Sequence, residues 1–283
     1  MTATRLVPGL PAPGRCLVMG VVNVTPDSFS DGGSYFDPEK AIAHGLELVA
    51  EGADLVDVGG ESTRPGAQRV SSDEELRRVI PVIRALTGAG VAVSVDTMRA
   101  EVAAAAIAAG AGLVNDVSGG LADAAMTPLV AEAGVPYVVM HWRGHSHDMQ
   151  TRAVYTDVVR EVTAELGQRV DALIAAGADP AKIVLDPGLG FAKKDEHNWT
   201  LLARLDRLLG LGFPVLIGAS RKGTLTRLLA GTDGTPRAFT DCDDATLAIT
   251  ALAAVQGAWC VRVHDVRPNA DAVRIAGAIR DHA

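Results

Sequence analysis

The chain has 283 residues, 48% of them hydrophobic and 21% charged, with 30 glycines and only three Trp, three Tyr and five Phe. Its 26 basic and 34 acidic residues leave a net charge of −8, and basic residues never run beyond two or three, which excludes the cationic surface of a nucleic-acid binder. Cys16, Cys242 and Cys260 form no C-x-x-C pair, which argues against a disulfide framework or a zinc ribbon and fits a reducing cytoplasm.

Residues 1–15 read as an N-terminal tail broken by Pro8, Pro11 and Pro13, without the continuous apolar stretch of about 7–15 residues that a signal peptide needs. From residue 16 onward one unit repeats: a short Val/Ile-rich run, polar residues, then an Ala/Leu-rich helical stretch closed by glycine. The β-branched runs suit buried parallel strands, and the glycines suit the residue just past a helix. Leu17–Val24 precedes a helix over 38–51, Leu55–Gly59 one over 73–87, and Val91–Asp96 one over 99–109. Leu113–Val117 leads to 123–133, Tyr137–His141 to 155–176, and Ile183–Asp186 to 195–209. Val215–Gly218 is followed by helical stretches at 222–230 and 241–256, and Trp259–His264 by one at 268–281. The longest apolar run, Val102–Val114, is mostly alanine and glycine and falls short of the roughly 18 residues of a membrane span.

Strict alternation of strand and helix implies right-handed crossovers, and eight such repeats in about 250 residues predict a single α/β domain over 16–283, a (β/α)8 TIM barrel. A doubly wound open sheet is the competing arrangement. Side-chain alternation turns Val91, Val93 and Val95 toward the helices and Ala92, Ser94 and Asp96 inward. In the last strand Val261 and Val263 point one way, Arg262 and His264 the other.

A barrel of this kind carries its chemistry at the C-terminal ends of its strands. Every predicted strand ends in hydrogen-bonding groups: Asn23, Asp57, Asp96, Asn115-Asp116, His141, Asp186, Ser220-Arg221-Lys222 and Arg262-Val-His264. Asp96, Asn115 and Asp186 make a ring of acceptors with one amide, suited to a planar ligand rich in N–H donors. Lys222, Arg262 and His264 come from strands 7 and 8, where barrels often hold phosphate. The expected ligand has a donor-rich head and an anionic tail.

The segments Asn23-Val-Thr-Pro-Asp-Ser-Phe-Ser-Asp-Gly-Gly and Asp57-Val-Gly-Gly-Glu-Ser-Thr-Arg-Pro-Gly resemble the two signature loops of the dihydropteroate synthases. Ser94-Val-Asp-Thr, Asn115-Asp-Val-Ser-Gly-Gly, Asp186-Pro-Gly-Leu-Gly-Phe, Ser220-Arg-Lys and Arg262-Val-His-Asp-Val follow in that family's order. The resemblance implies condensation of 6-hydroxymethyl-7,8-dihydropterin diphosphate with 4-aminobenzoate in folate biosynthesis, with Mg²⁺ as cofactor and sulfonamides as inhibitors. It implies that Asp96, Asn115 and Asp186 bind the amino-pyrimidinone edge of the pterin, and that Lys222 meets the ring's acceptor side, with Phe191 nearby. Arg262, His264 and Asn23 would hold the diphosphate, Asn23 also contacting Mg²⁺. Thr63, Arg64 and Pro65 of the second loop, with Phe29 and Asp31 of the first, would close over the aminobenzoate. Thr63 is expected to touch the pterin diphosphate as well, and a homodimer through 241–256 and the last helix follows by analogy.

On the same resemblance, pyrophosphate leaves first in an SN1-like substitution, and an already uncharged arylamine needs no strong base. Phe29, Tyr35, Phe36, Trp142 and Phe191 all fall in loops at the barrel mouth. Arg64, Arg143, Arg221, Lys222, Arg262 and His264 gather at that end too, so an acidic chain is expected to present a cationic pocket.

Other signals in the chain are weaker. His141, His145 and His147 stand at spacings of four and two, but Gly144 spoils helical H-x-x-x-H geometry, so a polar loop is expected rather than a zinc site. Gly188–Lys193 lacks the full phosphate-loop spacing, and Arg221 beside Lys222 favours an ordinary cation over a Schiff-base lysine. A non-catalytic pterin-binding paralogue should have eroded loops, whereas Asp31, Arg64, Pro65 and Lys222 are present. The methyltetrahydrofolate-binding barrel of a corrinoid methyltransferase would leave Ser220-Arg-Lys and Thr63-Arg-Pro-Gly unexplained.

Overall fold

Eight β-branched or leucine-rich runs form parallel strands at the predicted places: β1 (Leu17–Asn23), β2 (Leu55–Gly59), β3 (Val93–Asp96), β4 (Leu113–Asp116), β5 (Tyr137–Met140), β6 (Ile183–Asp186), β7 (Leu216–Ile217) and β8 (Cys260–Val263). They come from a computed structural model that describes residues 5–25, 37–62, 69–145 and 149–282. Between and after them lie α1 (Pro38–Ala50), α2 (Ser72–Gly88), α3 (Ala100–Ala108), α4 (Met126–Ala133), α5 (Val158–Ala175), α6 (Asp195–Ala203), α7 (Leu205–Leu209), α8 (Gly223–Leu228), α9 (Asp243–Gln256) and α10 (Val266–Asp281). The strands pair in the order β6-β5-β4-β3-β2-β1-β8-β7. A parallel bridge between Leu185 and Val215, with the Leu185 N–H donating to the Pro214 carbonyl at 2.8 Å, joins the two ends. The sheet is therefore a closed barrel and not the open alternative.

Alternation sorts the side chains as predicted. Val93, Val95, Val261 and Val263 are buried under the helices, while Met19, Leu55, Leu113, Val138, Val184 and Leu216 fill the lower barrel interior. Each such side chain, removed from water, contributes about 1.5–3 kcal/mol. Val7 and Leu10, ahead of β1, pack into this inner cluster and close the barrel from its N-terminal side. The inward positions nearer the C-terminal ends are polar. Register places Asp57 beside Ser94 and Asp96 beside Asn115, so the functional side chains stand next to one another across the sheet.

Helix boundaries follow caps more closely than apolar periodicity. The Asp157 carboxylate accepts from the Arg160 N–H at 3.0 Å, which starts α5 at Val158 rather than 155. Asp123, expected inside a helix, lies before α4 and accepts from Ala125 and from Ala100 at the start of α3. The stretch 195–209 breaks at Arg204, with φ −115° and ψ 36°, into α6 and α7. Within α1, Gly45 lets α2 approach closely: a Cβ there would fall 2.9 Å from the Leu86 side chain. Among the described residues no helix is long and apolar enough to cross a membrane.

Candidate active site

The alternation that buries Leu55 inside the barrel also turns Asp57 inward, between the outward Val56 and Val58, and Asp57 is fully buried. Its Oδ2 accepts from Arg262 Nε at 2.6 Å and from Asn115 Nδ2 at 2.9 Å. A second guanidinium nitrogen of Arg262 donates to Asp96 Oδ2 at 2.8 Å. Four strands, β2, β3, β4 and β8, are thus tied by one cation and one amide. Because the Asn115 amide group donates inward, its carbonyl oxygen is the acceptor left for a ligand. Burial raises the Asp96 carboxyl to about 7, the Arg262 charge opposing and the Asp57 charge adding to the shift.

Asp186, at the end of β6, accepts from the Gly188 N–H at 2.7 Å. Gly188 has φ +67°, and a Cβ there would lie 2.4 Å from the His141 carbonyl, so only glycine fits this turn. Burial raises the Asp186 carboxyl, opposed by that N–H and then by the Lys222 and Lys193 charges. Across the mouth the Lys222 ammonium sits 4.3 Å from the centroid of the Phe191 ring. Burial, and then the Arg262 charge, pull Lys222 down to about 8. Arg221, just before it, adopts the left-handed φ of 55°, a strained turn that sends consecutive side chains to different places. His264 Nδ1 stands 2.9 Å from Ser220 Oγ, which also accepts from the His264 backbone N–H.

The barrel therefore brings together Asp96, Asn115, Asp186, Phe191, Lys222, Arg262 and His264, with Asn23 on the same rim, opposite Gly59 at the end of β2. Phe29, Asp31, Thr63, Arg64, Pro65, Tyr35, Phe36 and His147 lie outside the described residues.

The cationic pocket is narrower than the sequence suggested. Arg143 bonds Glu161 and Glu165 and lies 4.0 Å over the Tyr155 ring, and Arg221 pairs with Asp243 at 3.1 Å. Both are taken up by carboxylates of neighbouring helices, whereas Lys222 and Arg262 stand among the site carboxylates, with His264 beside them. His141 sits between Glu165 Oε2 and Lys193 Nζ, and Trp142 packs edge-on against His145 with ring centroids 5.0 Å apart.

Sequence reasoning passed over Asp57 as a site residue, although its place between two outward valines signalled an inward carboxylate. It also assigned no role to Ser220 or Lys193, although both stand in quoted segments, because their partners His264 and His141 lie 44 and 52 positions away.

A closed parallel barrel with carboxylates and an amide on one side of its mouth, and cations from the β7 and β8 ends on the other, defines an enzyme for a flat, N–H-rich ring bearing an anionic tail. The chain belongs to the pterin binding enzyme family, whose model matches residues 19–264. It is 58% identical over 262 residues to the dihydropteroate synthase of Mycobacterium leprae, covering 92% of each chain. It is 45% identical over 263 residues to that of Streptococcus pyogenes serotype M3, covering 93% of this chain and 95% of the relative. Among solved structures, the Xanthomonas albilineans dihydropteroate synthase with 4-aminobenzoic acid superposes with a TM-score of 0.87 at 45% identity, over 97% of this chain and 99% of the other. The Yersinia pestis enzyme in complex with a sulfonamide drug gives 0.89 at 38% identity, over 98% and 99%.

Proposed function

We infer that the chain is a dihydropteroate synthase, a transferase that joins 6-hydroxymethyl-7,8-dihydropterin diphosphate to 4-aminobenzoate and releases pyrophosphate. The observation that carries this reading is the Asp57–Arg262–Asp96 cluster with Asn115, which presents acceptors to an amino-pyrimidinone edge while holding a cation beside them. The same cluster accounts for both halves of the substrate.

Asp96, the Asn115 carbonyl oxygen and Asp186 accept the ring N–H groups, and Lys222 donates to the ring's acceptor edge. Arg262 covers the ring face, and His264, Asn23 and Thr63 meet the diphosphate. Ser220 Oγ holds the His264 ring through Nδ1, which fixes that ring for its contact with the anion. Phe29, Asp31, Arg64 and Pro65 belong to the loops over the aminobenzoate. Cations at the leaving group and an electron-rich dihydropterin favour departure of pyrophosphate before attack, an SN1-like course. No described carboxylate has to act as base, since the arylamine attacks uncharged.

Mg²⁺ is a hard cation that is commonly bound through substrate phosphates together with one or two oxygen donors of the protein. The Asn23 amide oxygen is a hard donor of the right kind for one remaining position. When bound, the ion would neutralise charge developing on the leaving group. We further place the protein in the cytoplasm, which three free, buried cysteines support. A homodimer is supported by exposed Leu252 on α9 and by Ile275 and Ile279 on α10.

The test mixes pure protein with both substrates and follows pyrophosphate. Release that requires both substrates and stops on chelation of Mg²⁺ is expected, from particles whose light-scattering mass is that of two chains. Pterin binding without release would sink the synthase reading in favour of a non-catalytic paralogue. A requirement for a corrinoid would point to the methyltransferase alternative.

The pH dependence follows from Asp96. With its carboxyl raised to about 7, it accepts N–H groups most strongly as the ionised form that prevails above that pH. The kcat/KM for the pterin diphosphate is expected to fall as pH drops through that region and to level off above it. A pH–rate profile with no acid limb until the ordinary carboxylate range would remove the Asp96 assignment.

A further inference from the structure

We propose that Lys193 is a positioning residue of the pterin subsite, a buried ammonium that tethers the backbone of Phe191 and the His141 imidazole and whose charge acts on the Asp186 carboxylate. The inference rests on the synthase reading above. None of the roles assigned so far uses Lys193.

Lys193 is 2% exposed, an unusual setting for a lysine unless it is paired. It follows Ala192, whose left-handed φ of 46° turns the chain inward after Phe191. Its Nζ stands 3.1 Å from the Phe191 carbonyl and 2.9 Å from His141 Nδ1. The far nitrogen of that imidazole, Nε2, lies 3.0 Å from Glu165 Oε2. A carboxylate only accepts, so Nε2 carries the proton and Nδ1 offers its lone pair to the ammonium. Tyr155 locks the same turn by donating its hydroxyl to the Ala192 carbonyl at 3.0 Å. The His141 backbone N–H in turn donates to the Asp186 carbonyl at 2.9 Å. Lys193 is therefore fixed on both sides to the strands that present Asp186, and to the residue whose ring faces Lys222.

The charged and titratable groups around it are Asp186 of β6, His141 and Arg143 beyond β5, Glu165 of α5, His197 of α6 and Lys222 before α8. Of the two anions, Glu165 is engaged by His141 and Arg143. Asp186 is the one whose field acts most strongly on Lys193, and Lys193 in turn opposes the protonation of Asp186. Burial, opposed by the Asp186 charge, brings Lys193 down to about 7. The sign follows: below that pH the ammonium is present and keeps Asp186 ionised for the ring N–H groups; above it the support fades in the wild type as well.

The experiment measures binding of 6-hydroxymethyl-7,8-dihydropterin to the full-length wild type and to Lys193→Gln and Lys193→Met, by calorimetry at about pH 6 and about pH 8.5, on either side of the transition. Lys193→Gln keeps a donor for Phe191 and removes the charge. Its affinity relative to wild type is expected to be about tenfold lower at the acid pH and within about twofold at the alkaline one. Lys193→Met loses affinity at both, by the larger factor at the acid pH, and serves alone should thermal melts show the glutamine variant unfolded. A ratio to wild type that is the same at both pH values means packing only and overturns the proposal, as does a glutamine variant that binds like wild type at the acid pH. Wild type that binds no pterin at all would instead overturn the synthase reading.

Discussion

Asp57→Ala is expected to lower the melting temperature by about 10 °C and to abolish turnover. Asp57 is fully buried and accepts from both Arg262 and Asn115. Removing it leaves a largely buried guanidinium with Asp96 as its remaining partner, and an amide N–H without an acceptor. Breaking a buried pair from one side costs about 3–5 kcal/mol, and each kcal/mol moves the transition of a chain this size by roughly 2–4 °C. Pairing Asp57→Leu with Arg262→Leu is expected to recover part of the melting temperature, the Asn115 amide still lacking its acceptor, and none of the activity, because the uncompensated charge goes together with the cation placed over the ring. Calorimetry and pyrophosphate release read the two effects separately. An Asp57→Ala protein that melts with the wild type would show that Arg262 is held by other means.

Lys222→Ala is expected to leave the melt nearly unchanged and to lower kcat/KM for the pterin diphosphate by about 10²–10³, the range for loss of one preorganised electrostatic group. The ammonium faces the Phe191 ring and the site carboxylates at the mouth, on the rim of the fold. Its loss acts twice: the ring's acceptor edge loses a donor, and Asp186 and Asp96 lose a neighbouring cation that helps keep them ionised. Steady-state pyrophosphate release on a variant shown to be folded reads this directly. Turnover unchanged from wild type would remove Lys222 from the site.

These two residues differ in how legible they were. Lys222 stands in a Ser-Arg-Lys motif after a short apolar strand, so its chemistry and its place at the C-terminal end of a strand are both local in the chain. Asp57 stands in a signature segment too, yet its partner Arg262 is 205 positions away. Arg143 and Arg221 show the opposite error: both sit at the mouth as expected, but Glu161, Glu165 and Asp243, on helices that pack later in the chain, neutralise them.

What the sequence determined by itself is what depends on neighbours along the chain. Strand and helix order, the alternation that turns Asp96, Arg262 and His264 inward, and the motifs that mark a donor-rich ring with an anionic tail are all read from spacings of two to a dozen residues. The tertiary structure decided which charges face the ligand and which face each other. A barrel closes by joining β6 to β7 and β8 to β1, and that closure sets Arg262 between two aspartates. Whether a buried charge binds substrate or holds the fold depends on its nearest opposite charge, and in a closed barrel that neighbour comes from another strand.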